Sequence, residues 1–103
     1  MENSYRNYIS IFKALSDETR LKIVEMLSKG ELCACKILCH FDITQPTLSY
    51  HMKILCDSGL LTSRREGPWV HYALSPKTFQ LVENFVNEIG KSKENWGVFR
   101  EDC

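Results

Sequence analysis

The sequence has no long hydrophobic run and no leader-like beginning. No apolar stretch in the chain approaches the roughly 18 residues that a membrane-spanning helix needs. The start at Met1-Glu2-Asn3-Ser4 lacks the basic and then apolar pattern of a signal peptide. We therefore expect the chain to act in the cytoplasm, without a membrane as a partner.

An excess of positive charge is also missing. The 13 Lys and Arg residues balance the 13 Asp and Glu residues, so the formal net charge is zero, whereas nucleic-acid-binding domains are usually basic. Residues 44–74 carry Lys53, Arg64 and Arg65 against Asp57 and Glu66, an excess of one. Any binding to DNA must therefore depend on architecture and on a dimer that doubles this small excess.

The five cysteines do not form the Cys-x-x-Cys pair of thiol oxidoreductases, and no βαβ pattern surrounds them. In a reducing compartment an odd number favours free thiols, metal ligands or redox sensors over structural disulfides. Cys33, Cys35 and Cys39 fall within one short stretch. A single cysteine is usually a small buried hydrophobe, which we expect of Cys56, but a cluster indicates soft-ligand or redox chemistry. The last residue, Cys103, could join such a site or take no part.

The length and an ordinary composition, 44% hydrophobic and 25% charged, predict one folded domain. Helical spacing predicts a first helix whose buried stripe is Tyr5, Tyr8, Ile9, Phe12 and Leu15. A second helix follows a cap at Ser16 or Asp17 and stops at Gly30, with Leu21, Val24 and Leu27 on its apolar face. Because the chain turns polar at Gly90, we place the domain at 1–90 and a mobile tail at 91–103.

Residues 32–59 predict a helix-turn-helix. A short apolar stretch at 32–41 forms its first helix, and Thr44 caps the second, where Pro46 is tolerated in the first turn. The buried stripe of this second helix is Leu48, Met52 and Leu55, and Gly59 ends it.

Two strand-like segments at 60–65 and 69–74 flank a Gly-Pro turn and predict a hairpin, and Ser75-Pro76 opens a last helix that runs to about residue 89. The fold class is therefore mostly α with a small β-hairpin, in the order α-α-α-α-β-β-α of a winged helix-turn-helix. The first and last helices are the expected dimer interface.

If the apolar stripe of the second helix of this motif faces inward, its other side presents polar groups that can bond base edges and phosphates in a major groove. Those residues are Gln45, Thr47, Ser49, Tyr50 and Lys53. Arg64 and Arg65, near the hairpin tip, are placed to contact backbone phosphates. A merely solvated face is the alternative for the helix.

Helical geometry restricts the cysteine cluster. On a regular helix Cys35 and Cys39 share a face, whereas Cys33 is rotated about 200° from Cys35. Binding by all three thiols would therefore require the first helical turn to unwind, which would itself be a signal to the adjacent DNA-reading helix.

Several collinear stretches between residues 12 and 76 resemble the ArsR-type metalloregulatory repressors. They are Ala14-Leu15-Ser16-Asp17-Glu18-Thr19-Arg20-Leu21-Lys22-Ile23, Glu31-Leu32-Cys33-Ala34-Cys35, Gln45-Pro46-Thr47-Leu48-Ser49-Tyr50-His51-Met52-Lys53-Ile54-Leu55, Ser58-Gly59-Leu60-Leu61 and Gly67-Pro68-Trp69-Val70-His71-Tyr72-Ala73-Leu74-Ser75-Pro76. The resemblance implies a homodimeric winged-helix repressor that binds double-stranded operator DNA and is not an enzyme. His51 lies in one of these stretches and joins the candidate DNA contacts, although it could equally be a packed structural histidine.

Within the family, the Glu-Leu-Cys-x-Cys motif marks arsenic-responsive members and implies Cys33 and Cys35 as ligands; Cys39 is a third by position. Trivalent arsenic or antimony is soft and takes three thiolates, whereas a structural zinc site takes four ligands, for which only His40 is near. Cadmium- and lead-sensing relatives use cysteines before this motif, and zinc-sensing relatives use Asp and His on the last helix; both are absent here. We therefore predict As(III) or Sb(III) as inducer, with no organic cofactor.

Three alternatives remain open. A redox-sensing repressor of the same fold would respond to oxidation of the cluster instead of to a metalloid. A zinc-responsive member of the family is the second alternative, although residues 76–90 lack the Asp and His that such members use. A thiol redox protein is the third, although it would depart from the usual Cys-x-x-Cys pattern.

Overall fold

The computed structural model describes residues 5–101, which contain five α-helices and three short β-strands. Their bounds are α1 Tyr5–Leu15, α2 Glu18–Leu27, β1 Leu32–Cys33, α3 Ala34–Leu38, α4 Gln45–Asp57, β2 Leu61–Glu66, β3 Trp69–Leu74 and α5 Pro76–Gly90, followed by a 3₁₀ turn at Lys93–Asn95. The predicted winged helix-turn-helix is confirmed, with one addition. The strand β1 precedes α3.

Side-chain caps begin three of the helices where the sequence predicts them. The Asp17 carboxylate accepts a hydrogen bond from the Arg20 backbone N–H at 3.0 Å and starts α2. The Thr44 hydroxyl accepts from the backbone N–H of Thr47 at 3.4 Å and starts α4. Ser75 caps α5 in the same way. Each cap satisfies a backbone donor that the first turn leaves without a helical partner.

The hydrophobic core lies between α1, α2, α3, α4 and the beginning of β2. The predicted stripe of α4 is confirmed, since Leu48, Met52 and Leu55 are all buried. The other buried members of the core are Ile11, Ala14, Ile23, Leu27, Ile37, Leu60 and Leu61. This core fixes α4 against the body of the domain and leaves its opposite side exposed.

The predicted core face of α1 is wrong in part. Tyr8, Ile11 and Ala14 are the buried residues of this helix, whereas Tyr5, Ile9 and Phe12 are exposed. The helix is apolar on two sides, and the side that carries the small Ala14 approaches α2 and α4 closely. In α2 the same error occurs at Leu21, which is exposed while Ile23 is buried.

The sheet has the order β1-β3-β2, and both pairs are antiparallel. Strand β1 pairs Leu32 with Tyr72 and Cys33 with His71. Strands β2 and β3 form the predicted hairpin, the wing, with Gly67 in its turn at φ +62°. The wing is thereby joined to the segment that immediately precedes α3.

Helix α5 contacts α1 through Phe85 and packs Phe79 and Val82 against the edge of the core, although none of its residues is fully buried. The Tyr8 and Phe85 rings stack with centroids 4.4 Å apart, while Val86 and Ile89 remain exposed. The molecule is elongated, with extents of 59 × 30 × 23 Å. No helix described between residues 5 and 101 combines the length and apolar character needed to cross a membrane.

Gly59 ends α4 with φ +88°, and an added Cβ would lie 3.3 Å from Thr78 Oγ1. We expect Gly59→Ala to destabilise the domain by about 1–2 kcal/mol, because an L side chain is strained in this region of backbone space. Gly90→Ala is the matched control, since nothing lies within 4 Å of its added Cβ and alanine favours helix. Urea unfolding measures both; an unchanged midpoint for Gly59→Ala would contradict the assigned conformation.

Candidate nucleic-acid interface and thiol cluster

The outward side of α4 carries a continuous set of polar side chains. Gln45, Thr47, Ser49, Tyr50 and Lys53 are all exposed, as predicted from the inward stripe. The Thr47 hydroxyl receives a hydrogen bond from Thr44 at 3.1 Å, and the Lys53 ammonium donates to the Asp57 carboxylate at 3.0 Å. These amide, hydroxyl and ammonium groups are the types that bond to base edges and phosphates in a major groove.

His51 lies apart from this exposed set. Its side chain is 11% exposed, and its Nδ1 lies 3.0 Å from an Arg20 guanidinium nitrogen and 3.8 Å from Asp17 Oδ2. Because a guanidinium can only donate, this Nδ1 accepts. Arg20 also donates to the Ala14 carbonyl at 2.7 Å. The structure therefore places His51 in a network that ties α4 to α1 and α2, which is the packed alternative.

The two arginines of the wing differ in their surroundings. Arg64 donates to Glu31 through two nitrogens, at 2.9 Å and 2.7 Å, and to Glu66 at 3.1 Å. The Arg64 hydrogen bond lowers the pKa of Glu31, and the carboxylates raise the pKa of Arg64. Arg65 is exposed on β2. Arg64 must therefore exchange carboxylates for phosphate if it is to contact DNA.

The cysteine cluster begins at the junction of β1 and α3. Cys33 has an extended conformation, with φ −79° and ψ 158°, and α3 begins only at Ala34. The Cys33 and Cys35 sulfurs lie 2.7 Å apart. The expectation that Cys33 lies on the helix, turned away from Cys35, is therefore wrong, and these two thiols meet without unwinding a helical turn. The reason is the pairing of Cys33 with His71 in the sheet.

The two thiols differ in acidity. A hydrogen bond from the Cys35 thiol, aided by the nearby backbone N–H of Lys36, lowers the pKa of Cys33 below its ordinary value. The same hydrogen bond raises the pKa of Cys35, which acts as the donor. Cys33 is thus the sulfur of the pair that ionises first.

The other cysteines lie apart from this pair. The Cys39 thiol donates to the Lys36 carbonyl at 3.1 Å and lies 3.6 Å from His40 Nδ1. Cys56 is half-buried, and burial raises its pKa; Cys103 lies outside the described residues. Within residues 5–101, no three His, Cys, Asp or Glu side chains are grouped so as to hold a metal ion.

The sheet places the thiol pair next to the wing arginine. His71 of β3 stands between Cys33 of β1 and Arg64 of β2 in one row of cross-strand neighbours. Such neighbours share a face of the sheet. Glu31, two residues before Cys33, closes the row by binding Arg64. A change at the cysteines therefore has a short structural path to the wing.

Sequence reasoning missed three of these features. Strand β1 is only two residues long, and in the sequence it cannot be distinguished from the apolar stretch that follows it. Only its pairing with β3 identifies it as a strand. Glu31 belongs to the Glu-Leu-Cys-x-Cys motif, but its pairing with Arg64 could not be predicted because the two residues are 33 positions apart in the chain. Arg20 was equally unassigned, although its place beside the Asp17 cap is visible in the sequence.

Comparison with known sequences gives consistent results. A family model described as bacterial regulatory protein, arsR family, matches residues 17–63. The chain is 44% identical over 91 residues to an arsenical resistance operon repressor of Staphylococcus aureus, covering 88% of each chain. It is 54% identical over 87 residues to the arsenical resistance operon repressor of Escherichia coli (strain K12), covering 84% of this chain and 74% of that one.

Solved structures share the architecture. The crystal structure of an ArsR family transcriptional regulator has a TM-score of 0.82 and 27% identity, over 97% of this chain and all of that chain. A winged helix-turn-helix DNA-binding domain from Mycobacterium bovis, described as homodimeric, has a TM-score of 0.69 and 22% identity, over 94% of this chain and 90% of that chain. With the identities above, these likenesses establish that the chain belongs to the ArsR family of winged helix-turn-helix transcriptional regulators and is not an enzyme.

Proposed function

We propose that the chain represses an arsenic-resistance operon and leaves its operator when As(III) or Sb(III) binds Cys33, Cys35 and Cys39. The observation that carries this proposal is the Cys33–Cys35 pair, whose sulfurs lie 2.7 Å apart on a segment paired with the wing. The names of the bacterial relatives, arsenical resistance operon repressors, support the same inducer.

The chemistry suits trivalent arsenic. Each thiol replaces one hydroxyl of arsenous acid and releases one water, so three thiols form three sulfur–arsenic bonds with no change of oxidation state. The Cys33 thiolate attacks first, because its pKa is lowered, and Cys35 follows at once because it is adjacent. Cys39 completes the set when the last turn of the five-residue helix α3 rearranges.

Transmission to DNA follows from the connections of this segment. Helix α3 leads into α4, which presents the polar face, and β1 pairs with the wing. An arsenic atom that brings Cys39 to the Cys33–Cys35 pair moves this segment and so shifts both contacts with DNA. By thermodynamic reciprocity, operator DNA weakens metalloid binding by the same factor.

DNA binding on this scheme uses a homodimer. Both α1 and α5 carry exposed apolar side chains, namely Tyr5, Ile9, Phe12, Val86 and Ile89, and the two helices meet where the Phe12 and Phe85 ring centroids lie 6.1 Å apart. Burying these side chains against a second copy removes apolar surface from water and sets two α4 helices about one DNA turn apart, roughly 34–36 Å. The homodimeric description of the M. bovis domain supports this assembly.

A redox-sensing repressor is the second candidate, and the same short sulfur–sulfur distance favours it. Peroxide would oxidise the Cys33 thiolate to a sulfenic acid. The Cys35 thiol would then attack the Cys33 sulfur, so that the sulfur–oxygen bond breaks, water leaves and a disulfide forms. Zinc as the inducer has less support, because zinc-sensing relatives use Asp and His on the last helix, and α5 contains neither. Anaerobic titration separates the two candidates. Loss of the DNA complex with peroxide but not with arsenite would contradict the metalloid proposal.

We expect arsenite to release the reduced protein from DNA selected for binding by that protein, as followed by fluorescence anisotropy. Cys33→Ser and Cys35→Ser should abolish the response while leaving DNA binding within about twofold, because neither residue lies on the exposed face of α4. Cys56→Ser is the control and should respond normally. A Cys35→Ser protein that is still released by arsenite would contradict the proposed site.

Sedimentation of the reduced protein as a monomer at these concentrations would contradict the dimer.

Alkylation tests the order of attack. Because the pKa of Cys33 is lowered and the thiolate is the reactive form, iodoacetamide should modify Cys33 before Cys35 and Cys56 near neutral pH. Cys35→Ala removes the donor, so the pH profile of Cys33 alkylation should shift upward, whereas Cys35→Ser should retain part of the effect. Peptide mass spectrometry measures both profiles; an unchanged profile in Cys35→Ala would contradict the assigned hydrogen bond.

A further inference from the structure

His51 is a largely enclosed titratable side chain on α4, and the proposed inducer site does not use it. Its side chain is 11% exposed, whereas that of Tyr50, the preceding residue, is 62% exposed. The two rings are in edge contact, with centroids 5.4 Å apart. A displacement of the His51 ring therefore also displaces the DNA-facing side of α4.

The neutral form of His51 suits its partner on α2. Arg20 Nη1 lies 3.0 Å from His51 Nδ1, and because a guanidinium only donates, Nδ1 accepts and the proton of the neutral ring is on Nε2. Arg20 Nε donates to the Ala14 carbonyl at 2.7 Å. The guanidinium is thereby fixed between α1 and α4 and cannot move away from His51 without losing a second hydrogen bond.

Protonation of His51 is incompatible with this arrangement. An imidazolium carries a proton on both nitrogens, so the hydrogen bond from Arg20 is lost and two cations meet at 3.0 Å. An acceptor within reach is Asp17 Oδ2, 3.8 Å from Nδ1. The same oxygen caps α2 by accepting from the Arg20 backbone N–H at 3.0 Å. A charged His51 would therefore move away from the guanidinium and towards the cap of α2.

Other charged groups near this network reinforce the effect. The backbone N–H of Arg20, aided by the charges of Arg20 and His51, lowers the pKa of Asp17, so this carboxylate is ionised over the range in which histidine titrates and partly offsets the repulsion. Arg6 and Lys13 of α1 line a groove together with Arg20 and add positive charge. The other charged residue lining this groove is Asp57 of α4, which is paired with Lys53 at 3.0 Å.

We propose that Arg20 and His51 position α4 for DNA binding only while His51 is neutral, so that acidification weakens binding to the operator. Histidine changes charge between about pH 5 and 8, within the range that a cell can reach. By linkage, DNA binding releases a proton from His51. The proposal rests on the DNA-binding part of the proposed function and is independent of the inducer.

Fluorescence anisotropy of the reduced, inducer-free protein with DNA selected at about pH 7.5 tests the proposal. The affinity of the wild type should fall about tenfold between about pH 7.5 and 6, since one released proton limits the slope to tenfold per pH unit. His51→Leu removes the acceptor and should weaken binding at both pH values. His51→Asn puts an amide oxygen in the position of Nδ1 and does not titrate. It should recover most of the affinity lost in His51→Leu and show no dependence on pH.

His71→Asn is the matched control, because His71 lies on the wing, 3.5 Å from Glu66. Protonation of His71 adds positive charge near the phosphates and favours binding, an effect of the opposite sign, so this variant should keep the loss of affinity in acid. Wild-type affinity that is constant or rises on acidification would overturn the inference. So would a folded His51→Asn protein with the pH dependence of the wild type.

If thermal melting shows that a His51 variant does not fold, NMR titration of the wild-type histidine rings gives the answer. Bound DNA should move the midpoint of His51 protonation to lower pH, and an unmoved midpoint would overturn the inference. Failure of the wild type to bind any selected DNA at about pH 7.5 would contradict the proposed function itself. DNA binding without the pH dependence would overturn only this inference.

Discussion

The pairing of Leu32 and Cys33 with Tyr72 and His71 determines the arrangement of the candidate site. It holds Cys33 in an extended conformation, so that α3 begins at Ala34 and does not include Cys33. The Cys33 side chain consequently lies beside Cys35, and their hydrogen bond divides the pair into a more acidic and a less acidic thiol. The same pairing joins the cysteine segment to the wing. The acidity of Cys33, its closeness to Cys35 and the connection to the elements proposed to contact DNA thus follow from one two-residue strand.

Charge on the side proposed to face DNA is limited and mostly paired within the molecule. Lys53 is paired with Asp57, and Arg64 with Glu31 and Glu66. Exposed pairs of this kind contribute little to stability, so they can exchange for phosphate at small cost. Because phosphate contacts supply much of the affinity for DNA, a surface on which Lys53 and Arg64 are already paired depends strongly on having two copies at the operator. The apolar areas of α1 and α5 are consistent with that requirement.

Much of the fold is predictable because its signals are local. Asp17, Thr44 and Ser75 as caps, Pro46 in a first turn and Gly59 as a stop define most helix boundaries by their own chemistry. The inward stripe of α4 follows equally from spacing. The core face of α1 does not, because periodicity cannot decide between two apolar faces when a small residue such as Ala14 allows the closer approach.

The candidate site is less predictable because it depends on partners distant in the chain. The residue types and spacing identify Cys33, Cys35 and Cys39, but the relative position of the first two depends on β3, and Glu31 finds Arg64 across 33 positions. Spacing on an assumed regular helix predicted that the first helical turn must unwind before Cys33 can reach Cys35, and the strand makes that step unnecessary. A cavity beside Cys35 could likewise not be predicted from the sequence, because its walls come from three separate segments, α3, α4 and the wing.

The pairing of β1 with β3 joins the thiol pair to the wing, so a change at the thiols should reach the wing. Hydrogen–deuterium exchange of the reduced protein, measured by mass spectrometry with and without one equivalent of arsenite, tests it most directly. Backbone amides in paired strands exchange only when the pairing opens, so arsenite should change deuterium uptake in peptides from residues 61–74 as well as in those from 31–40. A change confined to residues 31–40, with the wing unaffected, would contradict the account.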